Sequence, residues 1–477
     1  MKTLTSNFIL LLLILISFQK SFAQTFAGGD GTKENPFQIS SPEQLNEIRN
    51  SLDSHFTLVN NIDLAFDTQN PEGLFWNDSL GWDPIGDRQF FFSGSLKGSG
   101  FIIEGLTINS PDARVIGLFA GISENGEIQN LKITNLRIEG QSEIGGLVGK
   151  NYGLIENCLV SGEVFGGQKI GGLIGGNYGV VKDNQANVDI TGGNRVGGLI
   201  GENEGVVVNN IAIGSIEGLS YVGGLIGSSI YIKEIVNNIH LGGVKGTIGV
   251  GGLVGITNGN IVENNYSIGN VEGDQWVGGL IGVKTGNTSY NYSVGEVNGE
   301  IGSGNLIGFD ESGLSVSNFW DSSFSNLNTE EEKGLSTTQM LMQSSFEGWD
   351  FDSTWAINEG ETYPYLKNNM QDPLPAPIIT SNENELDVNI KSFELDQNYP
   401  NPFNPSTKIS YRLKTSGNVL LEIYNMIGRK VSTLVDRQQL RGNYEVNFDA
   451  SNLSTGIYLY RLKVNGEVFT KRMLLLK

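Results

Sequence analysis

Between residues 144 and 210 one pattern of apolar and polar positions is written three times: IGGLVGKNYGLIENC (144–158), IGGLIGGNYGVVKDN (170–184) and VGGLIGENEGVVVNN (196–210). With the Ile or Val before the glycine pair as a marker, it recurs at 115, 144, 170, 196, 222, 250 and 277, at spacings of 29, 26, 26, 26, 28 and 27. In the first copy Ile116 stands where the first glycine would be, and a degenerate eighth copy, GNLIGFDESGLSVSNFW, begins at 304. A period of this size signals a repeat architecture rather than one compact core. Each unit holds three short runs, such as IGGLVG, GLIENCLV and GEVFG, bounded by Gly or Asn. These are too short and glycine-rich for helices, and the unit is too short for a propeller blade of about 40 residues. Three strands and three bends predict one coil of a parallel β-helix, stacked on its neighbour at about 4.8 Å.

Several columns follow from this register. Leu147, Leu173, Leu199, Leu225, Leu253 and Leu280 recur in step and are expected to stack in the core. Asn130, Asn157, Asn209, Asn237, Asn264, Asn291 and Asn318 recur with short insertions, and Asp183 replaces Asn once. Asn tolerates the left-handed region and bonds its own backbone, so a structural ladder at a corner is expected. The alternative use of the same amides is glycan binding. In GGLIG the Leu and the following Ile or Val are adjacent, so in a regular strand they face opposite ways. Either a bend turns both inward or one apolar column lies outside.

The rest of the chain divides around these repeats. Residues 8–17 (FILLLLILIS) follow Lys2 and precede Ser21-Phe22-Ala23, the layout of a secretory signal peptide over 1–23. Residues 24–114 read as an N-terminal cap with first irregular coils, including a helix in SPEQLNEIRNSL (41–52) with Ser41 as N-cap, Pro42 at its first position and Gln44 as capping-box partner. The solenoid spans 115–320 and a C-terminal cap 321–370. A Pro- and acid-rich linker occupies 371–390, and alternating runs such as KISYRL and NVLLEIY read as an Ig-like β-sandwich over 391–477. The expected fold is all-β throughout. No segment of the mature chain reads as a membrane-spanning helix.

Two parts resemble known families. The units I/V-G-G-L-I/V-G-x-N-x-G-x-I/V-x-N look like the GLUG motif of bacterial surface proteins and adhesins, and the flanking GWDPIG and GWDFDSTWAINEGETYPYL segments are similar to those that accompany it. NYPNPFNPSTKISYRL, VLLEIYNMIGRKVSTLV, GNYEVNFDASNLSTGIYLYRL and TKRMLLLK resemble the type A C-terminal sorting domain of the type IX secretion system, with Gly442, Asp449, Gly456, Tyr458 and the last strand to Lys477 matching its pattern. The resemblance implies the type IX secretion machinery as a partner and a secreted or outer-membrane surface-attached location.

Charge and chemistry narrow the function. The chain carries a net charge of −21, which disfavours nucleic acid. Residues 391–477 hold 13 Lys/Arg and 7 Asp/Glu, so the C-terminal module is basic on an acidic passenger. Only His55 and His240 exist, too far apart for a zinc pair, and the lone Cys158 beside Asn157 has no evident base. The repeat acids Glu127, Glu156, Glu202, Glu204, Glu234 and Glu263 scatter among coils, with Glu156 and Glu263 in one register, and the repeats lack the GGxGxD calcium pattern. Asp350 and Asp352 sit between aromatic residues that suggest packing. No catalytic residue, metal or cofactor is assigned. Tyr152, Tyr178 and Tyr266 are candidates for stacking on sugars or simply coil corners. The leading expectation is an exported adhesin-like or structural solenoid with a glycan or surface ligand. The alternative is a polysaccharide-active β-helix enzyme, a lyase or glycoside hydrolase.

Overall fold

The computed structural model describes residues 26–369 except 232, 325–326 and 328–332, and most of 393–475 apart from short stretches at the turns. The expected signal peptide, the linker and Lys477 lie outside the described residues. Two compact units divide the chain, at Leu386 and Asp387.

The first unit is a succession of short strands wound into a parallel β-solenoid of about eight turns. The coil beginning at Asn194 shows the plan: strands at Asn194–Gly197, Ile200–Asn203, Val206–Val208, Ile211–Ile213 and Ile216–Glu217. There are thus five strands where the sequence suggested three. A bend at Gly198-Leu199 splits the VGGLIG run, and Gly214 splits the run after Asn210. That same bend resolves the adjacent Leu and Ile, because Leu199 and Ile200 are both fully buried, as are Leu173 and Ile174. No apolar stripe is left outside at this position.

Glycine is required at the bend by proximity. A Cβ on Gly198 would lie 2.1 Å from the Gly224 carbonyl oxygen of the next coil, and one on Gly171 would lie 2.1 Å from Ile174 O. The backbones touch there, so the pair fixes how closely coils stack. In the first copy Ile144 pairs with Ile116 rather than Val115, so the spacing is 28 and the copy lacks one glycine.

The N-terminal segment continues this winding with irregular coils. Phe37, Phe56, Leu96, Ile128, Ile155, Val181 and Val207 form one in-register column, through strands that begin before the regular repeats. The helix is shorter than its sequence pattern, Pro42–Asn46 followed by a 3-10 turn at Glu47–Asn50. Ser41 caps it, but the Gln44 side chain accepts from the Ser40 amide at 2.8 Å, one residue earlier than a capping box. Its Leu45 and Ile48 are fully buried in the first-coil core. At the other end Lys333–Leu335 extends the sheet beside Phe319–Asp321, and the following chain turns back along the outside.

The amide residues of the corner fall into two neighbouring columns. Asn130, Asn157, Asp183, Asn209, Asn237 and Asn264 have φ between 52° and 59°, and their register continues into Tyr290 and Ser317. Asn291 and Asn318 belong to the next column, with Asn184, Asn210, Asn238 and Asn265, all buried. In this inner column the Asn210 Oδ1 accepts from both the backbone N and the Nδ2 of Asn184 at 3.0 Å. The same pair of hydrogen bonds repeats from Asn210 to Asn238, Asn238 to Asn265, Asn265 to Asn291 and Asn291 to Asn318. From Asn184 to Asn291 each Nδ2 also donates to two backbone carbonyls, as Asn210 does to Val181 and Val208. A second buried ladder, Asn151 to Asn177 to Asn203 to Ser229, runs at 2.8, 2.7 and 3.1 Å.

The second unit packs a three-stranded against a four-stranded antiparallel sheet. Ile409, Tyr411, Leu421, Ile423, Tyr460 and Leu462 are buried between them. Tyr460 secures the chain before the first long strand: its hydroxyl donates to Asp396 O at 2.6 Å and accepts from the Asn398 amide at 2.9 Å.

The two amide columns predict different mutational costs. Asn210→Ala strands the Asn184 backbone N–H in the core and removes the amide that serves Val181 O and Val208 O, and it is expected to lower stability on the order of 3 kcal/mol. Asn209→Ala meets the left-handed backbone, about 1 kcal/mol, and gives up the partly exposed bond from its Nδ2 to Asp183 Oδ1 at 3.1 Å, and Asn209→Gly is expected to recover the backbone part of that loss. All six Trp lie before residue 387, so tryptophan fluorescence during urea unfolding of the full chain reads the solenoid alone. Equal losses at 209 and 210 would contradict the assignment.

Candidate ligand-binding face

A third column, which no recurring residue type marks in the sequence, builds the outer face. The residue before each marker is left-handed: Glu143, Lys169, Arg195, Tyr221 and Trp276 have φ of 53–58°, with Gly249 and Gly302 in the same register. This backbone costs a non-glycine residue roughly 1–2 kcal/mol. The side chains lie across the strands Val148–Asn151, Ile174–Asn177 and Ile200–Asn203, whose outward column reads Lys150, Gly176, Glu202.

Charges alternate there. The Glu143 Oε1 lies 3.0 Å from Lys150 Nζ and 3.5 Å from Lys169 Nζ, which is 2.7 Å from Glu202 Oε1. The Glu202 Oε2 lies 2.6 Å from Arg195 Nη1, close enough for an ion pair though not aligned as a hydrogen bond. Glu202 is 4 % exposed, and a carboxylate so buried needs the pairing that these two cations give it. Glu204, two residues on, is raised above the usual carboxylate range by burial and by the Glu202 charge. Burial first, then Glu202 and Glu204, also raises the Tyr178 hydroxyl, which stays protonated at neutral pH.

Aromatic rings border this network. Tyr178 stacks on Tyr152 with centroids 4.7 Å apart, and Tyr152 on Phe91 at 5.9 Å. Tyr152 thus sits between two rings, while Tyr178 and Phe91 each have one ring contact in this stack. Tyr266 is placed differently. It is buried, stacks on Tyr292 at 4.8 Å, and both rings lie under Trp355. The chain after Leu335 forms this cover: Tyr292 donates to Pro364 O at 2.7 Å, and Trp355 Nε1 donates to Asn264 Oδ1 at 3.1 Å. Tyr266 is therefore corrected from candidate sugar platform to packing residue. Within the cover, Asp350 accepts from Ser353, Thr354 and the Asp352 amide, which hold its carboxyl at about 2, led by Ser353.

The two histidines and the cysteine do not meet. His55 Nδ1 lies 2.8 Å from Ser95 Oγ in the early coils. His240 is fully buried in an inward column with Ala186, Ala212, Ser267 and Ser293, 3.3 Å from Ser267 Oγ, with Nε2 unpartnered. Cys158 fills the first place of the inner amide column, its amide donating to Asn184 Oδ1, and burial pushes its thiol up to about 12. Glu156 and Glu263 share a column four coils apart. Among the described residues no group of three or more His, Cys, Asp or Glu is placed to hold a metal ion.

An open groove of about 550 Å³ lies in the irregular first coils, between Arg49–Asp53 and Gln89–Ser93, with Ser123 beside it. Phe91 lines it and joins it to the aromatic stack.

In the second unit, Gly442 and Gly456 start strands paired with Leu413 and Leu475. Asp449 closes a turn by accepting from the Ser451 amide at 2.8 Å, and Tyr458 is buried opposite Met473.

Residues 397–476 match the family described as the secretion system C-terminal sorting domain. A protein of Evansella cellulosilytica described as a Gly-rich membrane protein is 39% identical over 169 residues, covering 33% of this chain and 18% of that protein. Halomucin of Haloquadratum walsbyi is 36% identical over 142 residues, covering 29% of this chain and 2% of its own length. The chain therefore spans only a small part of the curated relatives it matches. No solved structure matches it. A β-solenoid joined to a type IX sorting domain has the organisation of a secreted surface protein. No helix among the described residues is long and apolar enough to cross a membrane.

Burial sets a pH dependence. It lowers the His240 pKa from 6.5 to about 4, so the folded state favours the neutral ring. That stability is complete above pH 6.5 and is lost as pH falls toward 4, by about 3 kcal/mol at about 1.4 kcal/mol per pH unit. His240→Ala, which matches Ala212 in the same column, is expected to flatten this part of the pH–stability curve measured by urea unfolding. An unchanged slope would refute the assignment. Cys158 is expected to resist a thiol reagent at pH 8 until urea unfolds the solenoid.

Proposed function

We propose that this protein is an adhesin-like surface or secreted binding protein, with a glycan or surface as its ligand. The sorting domain would deliver the solenoid across the outer membrane after a signal peptide at 1–23. The observation that carries this reading is the coupling of the sorting domain to a solenoid with a preorganised outer face. Side chains emerge from strained corners and are held by Glu143, Lys169, Glu202 and Arg195 in fixed positions. Preorganised polar surfaces lose little entropy when they bind. The resemblance of the repeats to GLUG-type surface proteins points the same way.

The polysaccharide-active reading retains one specific support, the raised carboxyl of Glu204 beside Glu202, since a general acid needs a raised pKa. One experiment addresses both. The full chain is incubated with neutral and acidic polysaccharides, and retention is recorded together with reducing ends and unsaturated products. Retention without products is expected. Products that disappear in Glu204→Gln would replace the adhesin reading with the enzymatic one.

A further inference from the structure

We infer that the groove between Arg49–Asp53 and Gln89–Ser93 is a binding subsite for a neutral glycan; this deepens the glycan-binding reading above and rests on it. Its volume of about 550 Å³ falls within the roughly 300–1,000 Å³ of small-ligand sites. Both walls are fixed before any ligand arrives. Asp87 Oδ1 accepts from the amides of Gln89 at 2.7 Å and Phe90 at 2.9 Å, and the Asp87 amide donates to Phe90 O. The opposite wall is tied down by Arg49, which donates to Asp83 Oδ2 and Asp83 O at 2.8 Å and to Asn46 O at 3.2 Å.

The free groups define the ligand. Phe90 is 64% exposed at the rim and, among the described residues, has no ring partner, an apolar platform suited to the C–H face of a sugar. Beside it, Gln89 and Asp53 carry side-chain polar groups without a partner among the described residues, and Asn50 donates to Glu47, leaving its own carbonyl oxygen open. Ser123 Oγ is buried with no hydrogen-bond partner, and such a group is costly unless something bonds it. Amide, carboxylate and hydroxyl around one aromatic ring are the partners that alcohol groups require. Charge selects against acidic sugars. Arg49 is neutralised by Asp83, Asp53 is the remaining charge among the lining residues, and the whole chain is at −21. Uronate or sulfated chains are repelled by such a field.

The test is calorimetric titration of the full chain with neutral gluco-, manno- and xylo-oligosaccharides, and with oligogalacturonate and oligomannuronate. Phe90→Ala, Gln89→Ala and Ser123→Ala are compared with Phe309→Ala, an exposed ring in the last coil. Neutral oligosaccharide binding is expected to weaken about tenfold or more in the Phe90 variant, to weaken in the other two groove variants, and to be unaffected by Phe309→Ala. Affinity is expected to persist in 0.5 M salt, where charge-driven binding fades. Tryptophan fluorescence establishes that each variant remains folded. If the wild type binds neutral glycans and Phe90→Ala binds equally well, the subsite is overturned while the glycan-binding reading survives. If only acidic oligosaccharides bind, the ligand class is wrong. If no glycan binds, both fail.

Discussion

In a solenoid stacked in register, every buried group meets its own counterpart one coil away, and this constraint governs the interior. A polar residue inside is tolerable only if its repeat can satisfy it. Asparagine meets that condition because its amide both donates and accepts. In the column from Asn210 to Asn318 each Oδ1 takes two protons from the coil before, while each Nδ2 serves backbone carbonyl oxygen. The column can begin on Cys158, which needs only to offer its amide there. It ends on Asn318, whose Nδ2 turns to Thr288 O at 3.1 Å. The glycine bends add the second condition, since a Cβ there would hold neighbouring coils apart.

The outer surface is under no such rule, and there the repeats diverge. The left-handed corner carries Glu, Lys, Arg, Tyr, Gly and Trp in successive coils, all leaving the backbone in the same direction. Regular winding thus presents irregular chemistry at fixed spacing. The groove arises where even the winding is irregular. The steps from Phe56 to Leu96 and on to Ile128 are longer than those of the repeats, and the extra chain supplies its walls. Concavity needs such departures, because a uniform coil offers only a flat side.

Much of the architecture was legible from the period alone. A step near 26 residues, apolar columns and glycine pairs leave few alternatives to a parallel coil, and the basic C-terminal module announced itself by motif. What sequence could not settle was register at single-residue resolution. Asn264-Asn265 and Asn209-Asn210 present two adjacent amides, and either column fits a spacing of 26 or 27. Only the backbone dihedrals separate the corner residue from the inward one. Tyr266 failed as a surface candidate for another reason. Its burial comes from Trp355, 89 positions away, and no local pattern encodes a segment that folds back. The charged outer network was equally hidden, since Glu143, Lys150, Lys169, Arg195 and Glu202 belong to three coils.

The returning segment has a consequence for how such a protein can change length. Units of 26 residues between Ile144 and Val196 pair like with like, so one can be duplicated or lost while both ladders rejoin. The coils from Asn237 to Phe319 are not interchangeable in this way. Asn369 bonds Asn237 O, Trp355 bonds Asn264, and Phe346 meets Phe319, so the segment spans a set number of turns as a ruler would. Growth and shrinkage are confined to the coils before it, and the terminal part keeps a constant size whatever the reach of the whole.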